Sequence, residues 1–368
     1  MAQIPGLATV EGTERFSKRS VSTRHLPPEH FRRTRAGLHL SSIGLGTYLG
    51  QPDGSTDHAV EQSVTVCLTS GRVNVLDTAI NYRLQRAERS IGRALGRLVE
   101  HASIARDEVF IATKIGYLAP EAETGTSPSQ WVQRELIDSG VLDPSDIVDG
   151  SHAMSPKYLT DQFGRCRTNL GIDSVDLLYL HNAADAQIPT VGPVEFEARL
   201  RAAFVVLERF RTQGHLGAYG LATWDCLRLP PADPAHFDLE RAVQIASEVG
   251  GDQHGFRFVQ FPFNLAMREA AGARTQRVEG DRLPLFEAAE RLGIGCFTSV
   301  PLMQGQLARS GPRRTGLTPA QTALQFARSA PGTLGPLVGQ KRVEHLSENL
   351  EVASHAPWDR TTFEGLLK

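Results

Sequence analysis

The sequence alternates short apolar runs with longer amphipathic segments, and this alternation constrains the fold more than any other feature. Eight runs have the length and composition of β-strands, and they fall at residues 41–47, 72–79, 108–116, 174–182, 217–223, 256–264, 293–300 and 333–339. Runs that are apolar on both faces are typical of parallel strands that helices cover on the outside. Eight βα units in one chain predict a closed (β/α)8 TIM barrel, with a doubly wound open sheet as the alternative that uses similar units.

The segments between the runs carry helix signals. Val60, Val64 and Cys67 recur at i, i+4 and i+7, which is the spacing of one buried helical face. Thr318 and Pro319 are residue types that begin helices, at the cap and at the first helical position respectively. We therefore expect helices to cover the outside of the predicted barrel.

Three stretches of the chain interrupt this alternation of predicted strands and helices. Residues 1–30 are polar and irregular, and we expect them to form an extension that is either packed outside a single barrel domain of residues 31–368 or partly disordered. Residues 117–155 form a long insertion rich in Pro, Gly, Ser and acidic residues, and residues 225–237 form a second loop. Both loops follow predicted strands, so we expect them on the C-terminal face, where barrels place their active sites. An insertion as long as 117–155 often serves as a lid or as a substrate-binding loop.

The composition excludes several classes of protein. The chain has 368 residues, 40% of them hydrophobic, and a net charge of −2, which allows a sizeable core but gives no electrostatic attraction for nucleic acid or an anionic membrane. No apolar run approaches the ~18 residues of a membrane span, and the N-terminus lacks the pattern of a secretory signal, so we expect a cytoplasmic protein. The cysteines are scattered without metal-ligand spacing, and we expect no bound metal and buried free thiols at Cys67, Cys166, Cys226 and Cys296.

Four polar residues stand at or just beyond the ends of predicted strands. Asp77, Lys114 and His181 each close an apolar run, and Tyr82 follows Asp77 by five residues. Each alone fits a structural role, but ionisable groups at strand ends are costly to bury alone, so we expect the four to lie together. A lysine near a tyrosine hydroxyl lowers the pKa of the phenol from about 10, and a histidine can hydrogen-bond a carbonyl oxygen. The set therefore suits the protonation step of a carbonyl reduction in which a cofactor supplies the hydride.

These residues lie in motifs that together resemble those of the aldo-keto reductase family. LDTAINY has the Asp-to-Tyr spacing of the family's D-T-A-x-x-Y signature, FIATKIG resembles the strand with the catalytic lysine, and VDLLYLHNAAD resembles the strand with the histidine. TRAGLHLSSIGLGTYLG resembles the family's N-terminal hairpin and first strand, and the resemblance continues to about residue 355. It implies a catalytic tetrad of Asp77, Tyr82, Lys114 and His181, with Tyr82 as the general acid.

The resemblance also implies a bound nicotinamide dinucleotide. Lys341 and Arg342 fall where the family binds the adenosine 2′-phosphate, so we expect NADP(H) rather than NAD(H), although Gly339-Gln340 and His345 replace the usual K-S-x-x-x-x-R residues. Two cations that open a helix are a reasonable phosphate site on physical grounds, with a solvated basic patch as the alternative. The residues implied in cofactor binding are Gly46, Thr47, Tyr48, Asp77, Thr223, Gln260, Leu302, Gln304, Gly305, Gly339, Gln340, Lys341, Arg342, Glu348 and Asn349.

Two further positions depart from the family's pattern around the nicotinamide. Ala222 and Thr223 stand where the family commonly has Ser-Asn, so Gln260 is the carboxamide ligand that matches fully. Ser299 stands where many members place an aromatic ring against the nicotinamide. Trp224 is a conceivable substitute for that ring.

We expect the substrate to be a small carbonyl compound. Tyr48, Trp224 and Trp131 of the insertion suggest flat, apolar walls, and a bulky insertion suggests a substrate larger than a simple aldehyde. The residues expected to line the substrate pocket are Tyr48, Tyr82, His181, Asn182 and Trp224.

Two other functions are compatible with the same residues. A tightly bound NADP could serve an internal oxidation–reduction, as in an epimerase or a dehydratase. The chain could instead be a non-catalytic, cofactor-sensing subunit docked on a larger partner, as some relatives in the family are. The sequence leaves open the oligomeric state, the true substrate and the direction of the reaction, which in reverse would be the oxidation of an alcohol.

Overall fold

The computed structural model describes residues 3–314 and 316–367, and its centre is a closed barrel of eight parallel strands. In chain order the barrel strands are Gly44–Gly46, Val75–Asp77, Phe110–Ile115, Val175–His181, Leu216–Ala222, Phe256–Pro262, Gly295–Ser299 and Thr333–Gly339. Each strand pairs with the next, and the eighth pairs with the first through Leu337 and Gly44, which closes the sheet. Each predicted apolar run overlaps one of these strands, so the predicted (β/α)8 TIM barrel is confirmed.

Helices fill the connections between the barrel strands. The main helices of the successive connections are Gly54–Thr69, Arg86–Glu100, Pro156–Leu170, Ala183–Thr212, Leu239–Gly250, Leu285–Arg291 and Pro319–Ser329. The last of these begins as predicted, because the Thr318 hydroxyl accepts a hydrogen bond from the backbone N–H of Gln321 at 3.2 Å. Additional helices are Pro128–Val132, Glu269–Gly272, Gln306–Ser310, Val343–Glu351 and Arg360–Leu367. Single 3-10 turns lie at Pro28–His30, Arg106–Glu108, Pro144–Asp146, Gly251–Gln253, Met303–Gly305 and Val352–Ser354.

Two apolar layers stabilise the barrel. Inside it, the ring centroid of Phe110 lies 5.7 Å from that of Phe258 and 6.2 Å from that of Phe297. Outside it, helix residues such as Val64 and Leu95 pack against the strands in one large cluster. Complete burial of each such side chain contributes roughly 1.5–3 kcal/mol. Because side chains fill the interior, a site for a ligand has to form at the ends of the strands.

Residues Val10–Arg24 form a helix, so the prediction of an irregular N-terminal extension was wrong in this part. Phe16 is fully buried and its ring packs edge-on against Phe31, while Arg19 forms an ion pair with Glu108 at 2.7 Å. The rest of the buried face consists of small residues, namely Gly12, Thr13, Ser17 and Ser20. A helix buried on small and polar residues lacks the apolar periodicity on which a prediction from sequence depends.

A β-hairpin precedes the barrel, as predicted from the resemblance. It pairs Phe31–Arg33 with His39–Ser41, and a second hairpin that was not predicted pairs Gln276–Val278 with Asp281–Leu283. The backbone N–H of Ala8, just before the N-terminal helix, donates to Asp176 at the start of the fourth barrel strand. The N-terminal segment therefore lies at the N-terminal end of the barrel, opposite the strand ends that carry the polar residues.

The insertion 117–155 is a folded unit with a small core of its own. Trp131 is only 2% exposed and packs with Leu136 and Leu142, on a short helix that continues into the π-helix Gln133–Asp138. The two ends of the insertion meet where Tyr117 pairs with His152. The prediction that Trp131 forms a pocket wall was therefore wrong, because the core of the insertion buries its ring.

Within residues 3–314 and 316–367, no helix is long and apolar enough to cross a bilayer, and no cluster of three or more His, Cys, Asp or Glu side chains could hold a metal ion. The four cysteines are free and buried, as predicted. Burial raises the pKa of Cys67 to about 12, so this thiol is neutral and unreactive near pH 7.

Candidate active site

The ends of three neighbouring barrel strands carry the polar residues that the sequence singled out. Asp77 ends the second strand, Lys114 lies one residue before the end of the third, and His181 ends the fourth. Tyr82 follows the second strand on a segment tied to the third strand, since the backbone N–H of Ile80 donates to the carbonyl of Lys114 at 3.1 Å. Because adjacent parallel strands end at the same edge, the four side chains share one face of the barrel.

Lys114 and Asp77 form a buried ion pair. The Nζ atom of Lys114 donates to Asp77 Oδ2 at 2.6 Å and to the backbone oxygen of Thr78 at 2.8 Å. Gln260 Nε2 donates to the other carboxylate oxygen of Asp77 at 3.0 Å. Burial raises the pKa of Asp77 and lowers the pKa of Lys114, and in each case the charge of the partner opposes the shift. Removing either partner would leave a buried charge without compensation.

Tyr82 lies against this ion pair, and burial keeps its hydroxyl protonated. Lys114 Nζ lies 4.9 Å from the centroid of the Tyr82 ring, so the ammonium group faces the ring. Burial raises the pKa of Tyr82 well above its ordinary value, and the negative charge of Asp77 raises it further. The prediction that Lys114 lowers the pKa of Tyr82 was therefore wrong for this structure, because Asp77 neutralises the lysine charge and burial dominates. Tyr82 is a fully protonated phenol near pH 7.

His181 is a neutral imidazole. Its ring lies 5.6 Å from the ring of Tyr82, centroid to centroid, in an edge-to-face arrangement. Burial lowers the pKa of His181 well below its ordinary value, and the charge of Lys114 acts in the same direction. Its Nδ1 atom is buried and has no hydrogen-bond partner among the described residues. A neutral imidazole retains one N–H group, which is the group needed to donate a hydrogen bond to an oxygen.

A cavity of about 860 Å³ opens on this face of the barrel. Its volume falls in the range of small-molecule and cofactor sites. Lys114 is 1% exposed and lies behind Asp77, outside the cavity wall. The structure places every other predicted site residue in the wall, namely Gly46, Thr47, Tyr48, Asp77, Tyr82, His181, Asn182, Thr223, Trp224, Gln260, Leu302, Gln304, Gly305, Gly339, Gln340, Lys341, Arg342, Glu348 and Asn349.

Three cations line the cavity, and one of them was not predicted. Lys341 and Arg342 were expected there, whereas Arg309, on the short helix Gln306–Ser310, was not. In the described ranges of the chain, none of the three has a carboxylate within 4.0 Å. Uncompensated cations around a concave surface suit an anionic ligand with several oxygens, and this donor set fits the phosphates of a dinucleotide.

The segment after the seventh barrel strand is strained where it borders the cavity. Val300, Met303 and Gln304 have φ values of 48°, 45° and 53°, in the left-handed region that non-glycine residues rarely adopt. Asn264 Nδ2 holds this backbone by donating to the oxygen of Val300 at 3.0 Å. Such strain costs roughly 1 kcal/mol or more per residue and clusters at sites that bind ligands.

The remaining wall has aromatic side chains exposed to the cavity. Tyr48 is 57% exposed and Trp224 is 44% exposed. Asn182 Nδ2 donates to the hydroxyl of Tyr117 at 3.3 Å, and Tyr117 was not predicted as a site residue. Among the described residues of the insertion, Tyr117 alone reaches the wall, so the expected lid does not cover this cavity.

The positions that depart from the family's pattern also lie here. Ser299 lines the cavity without an aromatic ring, and Gln260 is already bonded to Asp77. The backbone N–H of Trp224 donates to the carboxylate of Asp185 at 3.0 Å, and the next two backbone N–H groups bond the same carboxylate. Asp185 therefore fixes the main chain that carries the Trp224 ring.

Two comparisons with solved structures show the same fold. An aldo/keto reductase from Klebsiella pneumoniae, in complex with NADP and acetate, has a TM-score of 0.60 at 17% identity and covers 92% of this chain and 94% of that one. The holo form of the aldo-keto reductase AKR11C1 from Bacillus halodurans has a TM-score of 0.61 at 16% identity and covers 92% and 95%.

Comparisons of the amino-acid sequence with known proteins identify the family. The NADH-specific methylglyoxal reductase of Escherichia coli (strain K12) is 24% identical over 192 residues, which is 51% of this chain and 50% of that protein. The match therefore spans about half of that relative. The family model described as Aldo/keto reductase family matches residues 42–312, which is more than half of the chain. The chain belongs to the aldo/keto reductase family.

Proposed function

We propose that the protein reduces an aldehyde or ketone with NADP(H), and that Tyr82 provides the proton. The observation that carries this proposal is the placement of Tyr82 and His181 on the wall of one cavity that also presents three cations. The family match supports oxidoreductase chemistry in general. The proton donor, the direction of reaction and the cofactor are proposals that rest on this chain's own residues.

The cations of the cavity support NADP(H) as the cofactor. Lys341 and Arg342 would hold the 2′-phosphate, and Arg309 would contact another phosphate oxygen. The relatives differ in this respect, since one solved structure contains NADP and the Escherichia coli relative is called NADH-specific. We therefore base the preference on these cations, which suit an additional phosphate group.

The protonation states of the site suit reduction. A bound reduced nicotinamide supplies a hydride to the carbonyl carbon. The negative charge then develops on the carbonyl oxygen, where the N–H group of His181 would donate a hydrogen bond. Tyr82 holds its proton firmly at Oη because its pKa is raised, but an alkoxide is much more basic than a phenolate, so the proton passes to the oxygen. The ammonium group of Lys114, paired with Asp77, lies 4.9 Å from the centroid of the phenol ring and would help to hold the ring in place.

The walls near Tyr82 support a substrate with an apolar, flat portion. Tyr48 and Trp224 present exposed ring surface, and Asn182 and Tyr117 present polar groups on the same wall. Aromatic walls with a few polar groups are typical of sites for small organic molecules. We therefore propose a small carbonyl compound with a flat, apolar portion such as an aromatic ring.

Substitution of Tyr82 by phenylalanine tests the proposal. Tyr82→Phe removes the proton donor and leaves the ring, so we expect kcat for NADPH-dependent carbonyl reduction to fall about 100-fold or more. The dissociation constant for NADPH, measured by fluorescence titration, should stay within about twofold of the wild-type value, because the ring and the cations remain.

A matched control is Tyr219→Phe, since Tyr219 is also a buried tyrosine but bonds Glu208 away from the cavity. Its kcat should equal that of the wild type. Equal kcat values for Tyr82→Phe and the wild type would show that Tyr82 is not the acid. A purified protein that retains bound cofactor but oxidises no NADPH with a panel of carbonyl compounds would instead point to an internal oxidation–reduction.

A further inference from the structure

The insertion 117–155 contacts His181 through a residue outside the cavity wall as well as through Tyr117. His152 of the insertion is fully buried, and its Nε2 atom lies 3.0 Å from the backbone oxygen of His181. A carbonyl oxygen only accepts hydrogen bonds, so Nε2 carries the ring proton and donates it. On the other side of the ring, Gln187 Nε2 lies 3.0 Å from Nδ1, which therefore accepts. These two bonds fix one tautomer of His152.

The hydrogen bonds around His152 continue outward in one direction. Arg199 donates from Nη1 to Gln187 Oε1 at 2.9 Å, so the amide nitrogen of Gln187 has to face His152. Burial lowers the pKa of His152 to about 4, against the hydrogen bond to His181. The His152 ring is therefore neutral near pH 7. Its single N–H group, on Nε2, donates to the backbone oxygen of His181 at the end of the fourth barrel strand.

Tyr117 adds a second contact between the insertion and His181. The Tyr117 ring stands perpendicular to the His181 ring at 5.1 Å and nearly perpendicular to the His152 ring at 5.1 Å, between centroids. Tyr158 Oη and Gln162 Nε2 each donate to the backbone oxygen of Tyr117 at 2.8 Å. The helix Pro156–Leu170 thus fixes the main chain that carries this ring.

The chain turns sharply directly after His181. Asn182, the next residue, has φ 50° and ψ 35°, a left-handed conformation that asparagine adopts more readily than most residues. The insertion itself is stiff, because its own core is buried and Val148 N–H donates to the oxygen of His152 at 2.7 Å. This folded insertion contacts His181 at two points, the backbone oxygen and the ring, and the two contacts together restrict its orientation.

We propose that His152 is a positioning residue for His181: its hydrogen bond to the His181 carbonyl, together with the Tyr117 ring, orients the His181 imidazole toward the cavity. This inference rests on the proposed function, in which His181 binds the substrate oxygen. The insertion then serves as a rigid support for the reacting end of the cavity rather than as its cover.

Three variants of the full chain test the role of His152. His152→Ala removes the donor, and we expect kcat to fall roughly 10- to 100-fold, because small misplacements of a catalytic group cost about that much. KM for NADPH should stay within about twofold of the wild-type value, since His152 is outside the cavity wall. His152→Gln restores an N–H donor near the Nε2 position and should return kcat to within about threefold. His254→Ala is the matched control, because it removes another buried histidine but leaves the site intact.

A second measurement uses the protein without cofactor. Long-range ¹H–¹⁵N spectra of the histidine rings, with the His181 signals assigned by comparison with His181→Asn, report the orientation of this imidazole. We expect the His181 signals to shift in His152→Ala, to return in His152→Gln and to stay in place in His254→Ala. Should His152→Ala fail to fold, Gln187→Leu, which removes the donor to Nδ1, should give a smaller shift of the same signals.

Wild-type kcat in His152→Ala, or equal losses in His152→Ala and His152→Gln, would overturn the positioning role. A wild-type protein that reduces no carbonyl compound would instead overturn the proposed function. In that case the NMR signals of His181 still test the positioning role of His152. Unshifted signals in His152→Ala would contradict this role, and shifted signals would support it.

Discussion

Burial decides which protonation state each residue of the site holds. Tyr82 keeps its proton because burial and the nearby Asp77 raise its pKa. His181 stays neutral because burial and the nearby Lys114 lower its pKa. Lys114 and Asp77 compensate each other across 2.6 Å. The site therefore offers two neutral donors beside an ion pair of zero net charge, an arrangement that stabilises a developing negative oxygen better than it stabilises a cation.

The cations of the cavity lead to a prediction about the choice of cofactor. Lys341→Ala and Arg342→Ala should each raise KM for NADPH about tenfold or more, because a hydrogen bond between two charged groups is lost. KM for NADH, which lacks the 2′-phosphate, should change by less than about twofold, and kcat should be unaffected. Steady-state kinetics with both cofactors measures this.

Lys157→Ala is a suitable control for these variants, because Lys157 is exposed on the helix Pro156–Leu170, outside the cavity wall. It should change neither KM. Equal increases in KM for NADPH and NADH in Lys341→Ala would place the lysine at a phosphate that both cofactors share and would contradict the proposed role.

The turn that carries Tyr82 is a strained element. Arg83, Leu84 and Gln85 have φ values of 51°, 55° and 71°, so three consecutive non-glycine residues are left-handed, at roughly 1–2 kcal/mol each. Arg83 is held by an ion pair to Asp57 at 2.6 Å, with both side chains buried. Gln85 Nε2 donates to the backbone oxygen of Ala119 at 2.7 Å. Tertiary contacts therefore maintain a conformation that the local sequence disfavours.

Gln85→Ala should release this turn. It removes the bond to Ala119 and the bond that Asn169 Nδ2 donates to Gln85 Oε1 at 3.1 Å, and unsatisfied buried groups cost about 1–3 kcal/mol each. We expect a lower melting temperature and a fall in kcat of about tenfold, because Tyr82 loses its fixed position. Circular dichroism and steady-state kinetics measure the two effects.

Gln276→Ala separates the two effects of Gln85→Ala. Gln276 is also a buried glutamine that bridges main-chain groups, since it donates to Leu227 and accepts from Leu239, but it lies outside the cavity wall. It should lower the melting temperature with no change in kcat. An unchanged kcat in Gln85→Ala as well would mean that the strained turn does not position Tyr82.

Strands and helices could be predicted from the sequence where their own residues form an apolar pattern. The strand Phe110–Ile115 is apolar throughout, whereas the helix Val10–Arg24 is buried on small and polar residues that carry no such signal. The left-handed turn at 83–85 has no glycine that would have indicated it. Within the site, strand-end motifs indicated where polar side chains would gather, but Tyr117 and Arg309 reach the cavity only through the tertiary fold, and burial reversed the expected shift in the pKa of Tyr82.

The two ends of the barrel have different roles: one end carries the candidate active site, and the other carries contacts that stabilise the fold. The cavity lies at the C-terminal ends of the strands, and the N-terminal helix contacts the opposite end. Burial would raise the pKa of Glu108 there, but hydrogen bonds from Arg19 and Arg15 hold it below its ordinary value of 4.5. The folded-state pKa is therefore below the unfolded value, so these contacts stabilise the protein above about pH 4.5 and lose their effect as the pH falls.

This separation predicts that damage to the N-terminal helix lowers stability and leaves turnover unchanged. Phe16→Ala empties a fully buried position, at about 3–5 kcal/mol for such a substitution, and should lower the melting temperature by several degrees. At 25 °C, kcat/KM should equal the wild-type value, because the cavity wall contains no described residue of this helix. Val194→Ala, at a side chain that is 84% exposed, should change neither quantity. A loss of kcat/KM in Phe16→Ala without a change in melting temperature would mean that the two ends of the barrel are energetically coupled.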